Sequence, residues 1–181
     1  MKNKLLSVLG LIVLGWAVIA AVPAEAEKNI TGPRYEPPSW DQTLPANQRF
    51  VVLTNMNSDA VLDKETGLVW EKSPSTDTFV WEDAQSHCNA LLTGNRVGWR
   101  LPTVQELGSL LDLSTAAPYV PSSIFSTVQS NDYWSATTTA VSTSSAWAVL
   151  FLSGPGNVGI GDKSDGLYVW CVRGGNGVDP Q

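Results

Sequence analysis

The sequence predicts one α+β domain: a hairpin, two successive helices, then several mostly antiparallel strands, all tied by one disulfide. Three observations carry that expectation. Apolar residues recur at helical spacing in two consecutive stretches, FVWEDAQSHCNALLTGN (79–95) and TVQELGSLLDL (103–113). Strand-like apolar runs flank those stretches on both sides. The chain also carries two cysteines, Cys88 and Cys171, behind an N-terminal segment that reads as an export signal.

That segment places Lys2 and Lys4 before an apolar run from Leu5 to Val22, then Pro23 and Ala24-Glu25-Ala26. The pattern is that of a signal peptide cleaved after Ala26, although the run is also long enough for an uncleaved anchor. Cleavage leaves 155 of the 181 residues, enough for one domain with a real core. It removes two of the eleven basic and one of the seventeen acidic residues, so the formal net charge becomes −7. Nucleic acid and anionic membrane surfaces want a basic stripe, and the acidic balance argues against both as partners. An even cysteine count in an oxidising compartment reads as one bridge, Cys88 to Cys171; two buried free thiols are the alternative.

Residues 27–48 hold Pro33, Pro37, Pro38 and Pro45 and show no periodicity, which predicts a Pro-rich leader or linker. The domain is expected over 49–175, with a tail over 176–181. Phe50-Val51-Val52 opens it as a strand. Val61-Leu62 and Leu68-Val69-Trp70 form a hairpin around the turn Asp63–Gly67. In the first helix Trp81, Ala84 and Cys88 share a face, Glu82 and Asp83 sit in the first turn, and Gly94 is the expected stop.

Pro102 cannot lie inside a helix and pushes Leu101 toward an extended conformation, so Trp99-Arg100-Leu101 is short strand or loop. Thr103 and Glu106 then make a Thr-x-x-Glu capping box, with Pro102 and Leu107 at the ends of a hydrophobic staple. Trp99, Arg100, Thr103 and Glu106 are therefore read as a structural joint. The third part of the chain is strand-like: Tyr133-Trp134-Ser135, a Ser/Thr-rich loop, then WAVLFLS, apolar on both alternating sets. Turns at Gly154-Pro155-Gly156 and Lys163–Gly166 lead into a closing strand, LYVWCVRGG (167–175).

Six blocks of wording carry a family resemblance: TGLVWEK (66–72), Trp81 with Ala84 and Cys88, WRLPTVQEL (99–107), YWSAT (133–137), AWAVLF (146–151) and YVWCVRGG (168–175). In order and spacing they resemble the family named after the C-terminal domain of the Legionella collagen-like adhesin, and more broadly a C-type-lectin-like fold. The resemblance implies an exported or envelope protein, adhesin-like, recognising a surface glycan such as a sulfated polysaccharide, or an extracellular protein. Two departures matter. The chain has no collagen-like Gly-x-y stalk to supply multivalency, and its acidity suits a sulfated ligand poorly.

Catalysis lacks its usual parts. A nucleophilic Cys–His or Ser–His pair needs a base, and the one histidine, His87, directly precedes Cys88 and so points elsewhere on a helix. Formylglycine-generating enzymes share some of the wording but need a copper-binding cysteine pair, whereas here the cysteines match the structural bridge. Asp112, Asp132, Asp162 and Asp165 could pair as glycosidase carboxylates only by chance of folding. Asn157, Asp162 and Asp165 beside Gly166 hint at calcium, yet the Glu-Pro-Asn loop of calcium-dependent lectins is missing.

The expectation is thus no enzyme, no cofactor and no metal. Ligand contact is assigned to the loops 118–132 and 137–163, with Tyr119, Asn131, Asp132, Tyr133, Asp162 and Lys163 as nominees. A structural subunit of the envelope is the competing reading, and an enzyme the third.

Overall fold

A computed structural model of the chain describes residues 44–112, 114–152 and 158–174. The expected signal peptide, the leader before Leu44, the turn at Gly154–Gly156, Asn157 and the tail lie outside the described residues.

Two five-stranded sheets and three helices make up the described part. The end of the expected leader and Arg49, the first residue of the expected domain, form a one-turn helix, α1 (Ala46–Arg49), which runs straight into β1 (Phe50–Val52). The hairpin forms as expected: β2 (Ala60–Asp63) pairs with β3 (Val69–Glu71), with Ala60 opposite Glu71 and Leu62 opposite Val69. After the short strand β4 (Thr78–Phe79) comes α2 (Trp81–Ala90). It ends one turn before Gly94, because Leu91 is already extended; Gly94 instead takes a positive φ of 65° against Met56, where an added Cβ would meet the Met56 Cβ at 2.6 Å.

The joint follows. β5 (Trp99–Arg100) leads through Pro102 into α3 (Val104–Gly108). This helix has five residues rather than the eleven-residue periodic stretch of the sequence. The Ser109 hydroxyl donates to the Glu106 carbonyl at 2.7 Å, and Leu110 and Leu111 bond back only three residues, which tightens and closes the last turn. Leu107, Leu110 and Leu111 are nonetheless buried, so the apolar face survives the loss of regular helix.

The remaining strands are β6 (Asp132–Thr138), β7 (Ser145–Leu150), β8 (Val158–Asp162), β9 (Leu167–Tyr168) and β10 (Val172–Arg173). The first sheet runs β1-β2-β3-β10-β5 and the second β4-β9-β6-β7-β8. The second contains a parallel contact, Tyr133 to Tyr168. The expected closing strand is therefore two short ones. Val169, Trp170 and Cys171 cross from one sheet to the other, each fully buried.

That crossing is where the molecule is pinned. Cys88 on α2 is bonded to Cys171, with Cα atoms 5.4 Å apart. Glu71 accepts from the Cys171 N–H at 2.9 Å, and its own carbonyl accepts from the Trp170 indole at 2.9 Å. Two apolar clusters meet around it. One gathers Trp70, Tyr133, Phe151 and Trp170, with Phe125 edge-on to Trp170 at 5.1 Å; the other gathers Trp99, Trp134, Ala84 and the disulfide. Trp99, Trp134 and Trp170 each spend their indole N–H on a backbone carbonyl, so burial leaves those donors satisfied.

Candidate functional site

The charged groups most deeply placed are all answered from within. Arg49, 1 % exposed, forks onto Asp63 at 2.9 and 2.6 Å and donates to the Ser109 carbonyl at 2.8 Å, while Glu65 lies 3.1 Å from its Nε. Arg100 makes a second fork onto Glu106 at 2.7 and 2.6 Å and reaches the Gly174 carbonyl at 2.8 Å. Glu106 at the same time accepts from the Thr103 N–H at 2.8 Å, and Thr103 accepts from the Glu106 N–H at 3.2 Å. One carboxylate thus caps α3 and ties it to β5 and the end of β10. Burial pushes the Glu71 carboxyl up to about 7, against the opposing pull of the Cys171 N–H and the Thr93 hydroxyl.

An open cleft of about 690 Å³ lies between Leu44–Ala46 and residues of the 112–123 stretch. Its apolar lining is Leu44, Pro45, Ala46 and Pro121; its polar lining is Asp112 with the hydroxyls of Ser114, Thr115, Ser122 and Ser123. Each wall is held in place. Asp112 accepts from the Ser114 N–H at 2.9 Å and its hydroxyl at 2.6 Å, and the Thr115 hydroxyl donates to the Asp112 carbonyl at 2.9 Å. The Pro121 carbonyl receives both Ile124 and Phe125 N–H groups, which folds the serines outward over buried Phe125. On the other side the Leu44 N–H is anchored to Glu65 at 2.6 Å.

Among the described residues of this lining, Asp112 is the one ionisable group. The arrangement can hold a ligand rich in hydroxyls through hydrogen bonds, with proline faces against its C–H groups.

The nominated ligand residues do not converge. Tyr119 takes a left-handed φ of 57° and packs, half-buried, against the first apolar cluster. Asn131 is exposed and its side-chain oxygen accepts from the Asp132 N–H at 2.9 Å. Asp132 is half-buried, and desolvation raises its carboxyl above the usual range. Tyr133 is corrected outright: it is fully buried, its hydroxyl accepts from the Gln129 N–H at 2.7 Å, and burial pushes the phenol up to about 12. Its ring stacks among Phe151, Tyr168 and Trp170, out of reach of any ligand.

Asp162 and Lys163 stand at the far end of the second sheet. Asp132 faces Leu150 and Asp162 faces Ser145, five positions apart on β7, or about 17 Å at the strand rise. The Ser145 hydroxyl donates to Asp162 at 3.2 Å; the Lys163 ammonium lies 4.1 Å from the Trp81 ring centroid and donates to the Thr143 carbonyl at 2.8 Å. Lys163 is therefore engaged by its own protein.

Sequence reasoning missed the cleft serines and threonine, the Arg49–Asp63 fork and Glu71. The dense PSS after Pro118 was the available signal for the first. His87 sits against Phe79, with ring centroids 4.6 Å apart, and its neighbour Cys88 is oxidised, so no nucleophilic pair forms. Among the described residues no three His, Cys, Asp or Glu side chains gather where they could hold a metal ion, and no helix is long and apolar enough to cross a membrane.

A family model described as the Lcl C-terminal domain matches residues 59–173. No curated protein matches the chain.

Proposed function

Because the chain belongs to the Lcl C-terminal domain family, we propose that it is an exported, non-catalytic, adhesin-like module that binds a neutral surface glycan in the cleft beside Asp112. In this reading residues 1–26 direct export, the Pro-rich leader spaces the domain from a surface, and the scaffold is C-type-lectin-like. Its place is the periplasm, the cell surface or the extracellular space.

The observation that carries the reading is the lining of that cleft: four hydroxyl residues, Ser114, Thr115, Ser122 and Ser123, beside Asp112, with no second ionisable residue among the described ones. A sulfated chain would ask for arginine or lysine in the walls, and the described residues of the lining include neither. Arg49 and Arg100 are already committed to carboxylates. A neutral saccharide fits the same walls through hydroxyl-to-hydroxyl bonds and a bidentate contact to Asp112.

A glycan array on the mature protein, followed by calorimetry, tests this. Saturable binding of a neutral oligosaccharide, abolished by Ser123→Trp filling the cleft, is the expected result. Binding only to sulfated glycans, or binding indifferent to Ser123→Trp, would remove the assignment. Turnover of a model glycoside lost in Asp112→Asn would replace it with an enzyme.

A further inference from the structure

Among the described residues, β8 is the longest edge strand of either sheet, and no other strand pairs with its outer side. Sheet edges usually carry a guard: a proline, an inward lysine, a bulge or extreme shortness. β4 and β5 are only two residues long, and β5 runs into Pro102 within two positions. β8 has five residues, Val-Gly-Ile-Gly-Asp, pairs regularly with β7 along its whole length, and holds neither proline nor lysine. The lysine that follows, Lys163, is drawn away onto Trp81 and Thr143.

The register says which backbone groups face outward. Trp147 lies opposite Ile160, and its carbonyl accepts from the Ser135 hydroxyl at 2.6 Å, on the β6 side. Ser145, opposite Asp162, likewise turns its carbonyl to Thr139 and its N–H to Ser142. Trp147–Ile160 and Ser145–Asp162 are therefore the non-hydrogen-bonded pairs of the hairpin, and the N–H and C=O of Val158 and Ile160 point away from β7. The Asp162 N–H, also outward, has only a long bond of 3.3 Å to Asp165. Ile160 is 56 % exposed and continues a row from half-buried Trp147.

We infer that this edge pairs with the same edge of a second copy, antiparallel, about a two-fold axis through Ile160. The register is self-complementary. Ile160 then faces Ile160 of the second copy, Gly159 faces Gly161, and Val158 faces Asp162. The one acid of each strand thus never meets its counterpart, although the chain as a whole is acidic. On one face the row Trp147–Ile160 runs on into its copy as a four-residue apolar ladder. On the other face Gly159 and Gly161 are required, because added Cβ atoms would meet Leu150 at 2.9 Å and Trp134 at 2.8 Å. The backbone edge is consequently flat and unobstructed.

A seam of five residues a side buries less than the ~1,000 Å² of a stable interface, so the pair forms weakly, near the high-micromolar range in solution. Crowded on a surface, the same contact joins two copies into a bivalent unit. The pairing does not rest on the ligand reading, and none of its residues lines the cleft.

Sedimentation velocity on the full mature chain, from about 10 μM to about 1 mM, together with an engineered crosslink, decides it. Hydrogen-bonded partners in an antiparallel pair have Cα atoms ~5.5 Å apart, within disulfide range. Ile160→Cys introduces the sole free thiol, and oxidation should give a covalent dimer at least tenfold faster than the equally exposed control Leu152→Cys. The wild type should show a concentration-dependent dimer that Ile160→Arg abolishes, with the far-ultraviolet circular dichroism of the monomer unchanged. A wild type monomeric throughout, or crosslinking no faster than the control, overturns the inference; an edge reserved for a strand of another protein would give that same result.

Discussion

The interior polar pairs and the rim of the cleft differ in what they leave unsatisfied. On the core side every charged group meets an internal partner: Asp63 holds Arg49, Glu106 holds Arg100, and Glu71 holds the crossing at Cys171. On the cleft side, Ser122 and Ser123 are exposed in the lining of an open volume, held in a turn that the Ile124 and Phe125 N–H groups close onto the Pro121 carbonyl. Polar groups that answer one another make structure, and polar groups held rigid but unanswered make a recognition surface. The family wording concentrates on the first kind, which is why membership identifies the scaffold and leaves the ligand to the loops.

Substitutions should separate the two regions sharply. The largest loss is expected from opening the bridge. Cys88→Ala with Cys171→Ala frees a loop spanning 83 positions, and chemical denaturation should report about 4–5 kcal/mol less stability. An effect under about 1 kcal/mol would mean that the crossing is held by Glu71 and packing alone.

Next comes Glu71. Its folded pKa, about 7, is raised above the ordinary 4.5, so the folded state binds the proton more tightly than the unfolded chain does. The stabilisation is complete below about pH 4.5 and is lost as pH rises through 7, a change of roughly 3 kcal/mol. Denaturation midpoints measured from pH 4.5 to 8 should fall on this account, and Glu71→Gln should flatten the profile across that window. A wild-type profile rising over the same range would contradict the burial argument.

The joint at 99–107 should respond in a graded way. Thr103→Ala removes one cap bond and should cost about 1 kcal/mol. Glu106→Ala, which also strands Arg100, should cost more, about 2–3 kcal/mol. Thermal melts of both variants check the order. The smallest effect on stability is expected from Ser123→Trp, within about 0.5 kcal/mol because the residue is exposed, while it should have the largest effect on binding. Comparing its melting curve with its calorimetric titration tests that contrast.

Elements with one wet face were legible in the sequence. The β2–β3 hairpin, α2 and the capping box all followed from turn chemistry and period, because solvent on one side imposes a pattern. Where burial is complete the pattern disappears: Val169–Trp170–Cys171 has no wet side, so a crossing between sheets read as one continuous strand. Tyr133 was misplaced for a related reason. It follows exposed Asn131 and half-buried Asp132, but Tyr133, Trp134 and Ser135 are all fully buried, so this part of β6 is covered on both faces and leaves no alternation in the sequence to read. α3 was overextended because Leu110 and Leu111 keep helical spacing through a tightened turn. The cleft was illegible because serines in a loop look alike whether they face bulk water or a shaped volume, and only the fold brings Leu44–Ala46 across from Ser122.

The central claim is that the hydroxyl-lined cleft, rather than the far end of the second sheet, meets the ligand. Amide chemical shifts followed by NMR during titration with a neutral oligosaccharide selected on the array test it most directly. Saturable shifts should cluster at Leu44, Ala46, Asp112, Ser114, Thr115, Ser122 and Ser123, leaving Asp162, Lys163 and Trp81 unmoved. Saturable shifts centred on Trp81 and Lys163, with the 112–123 loop silent, would contradict it.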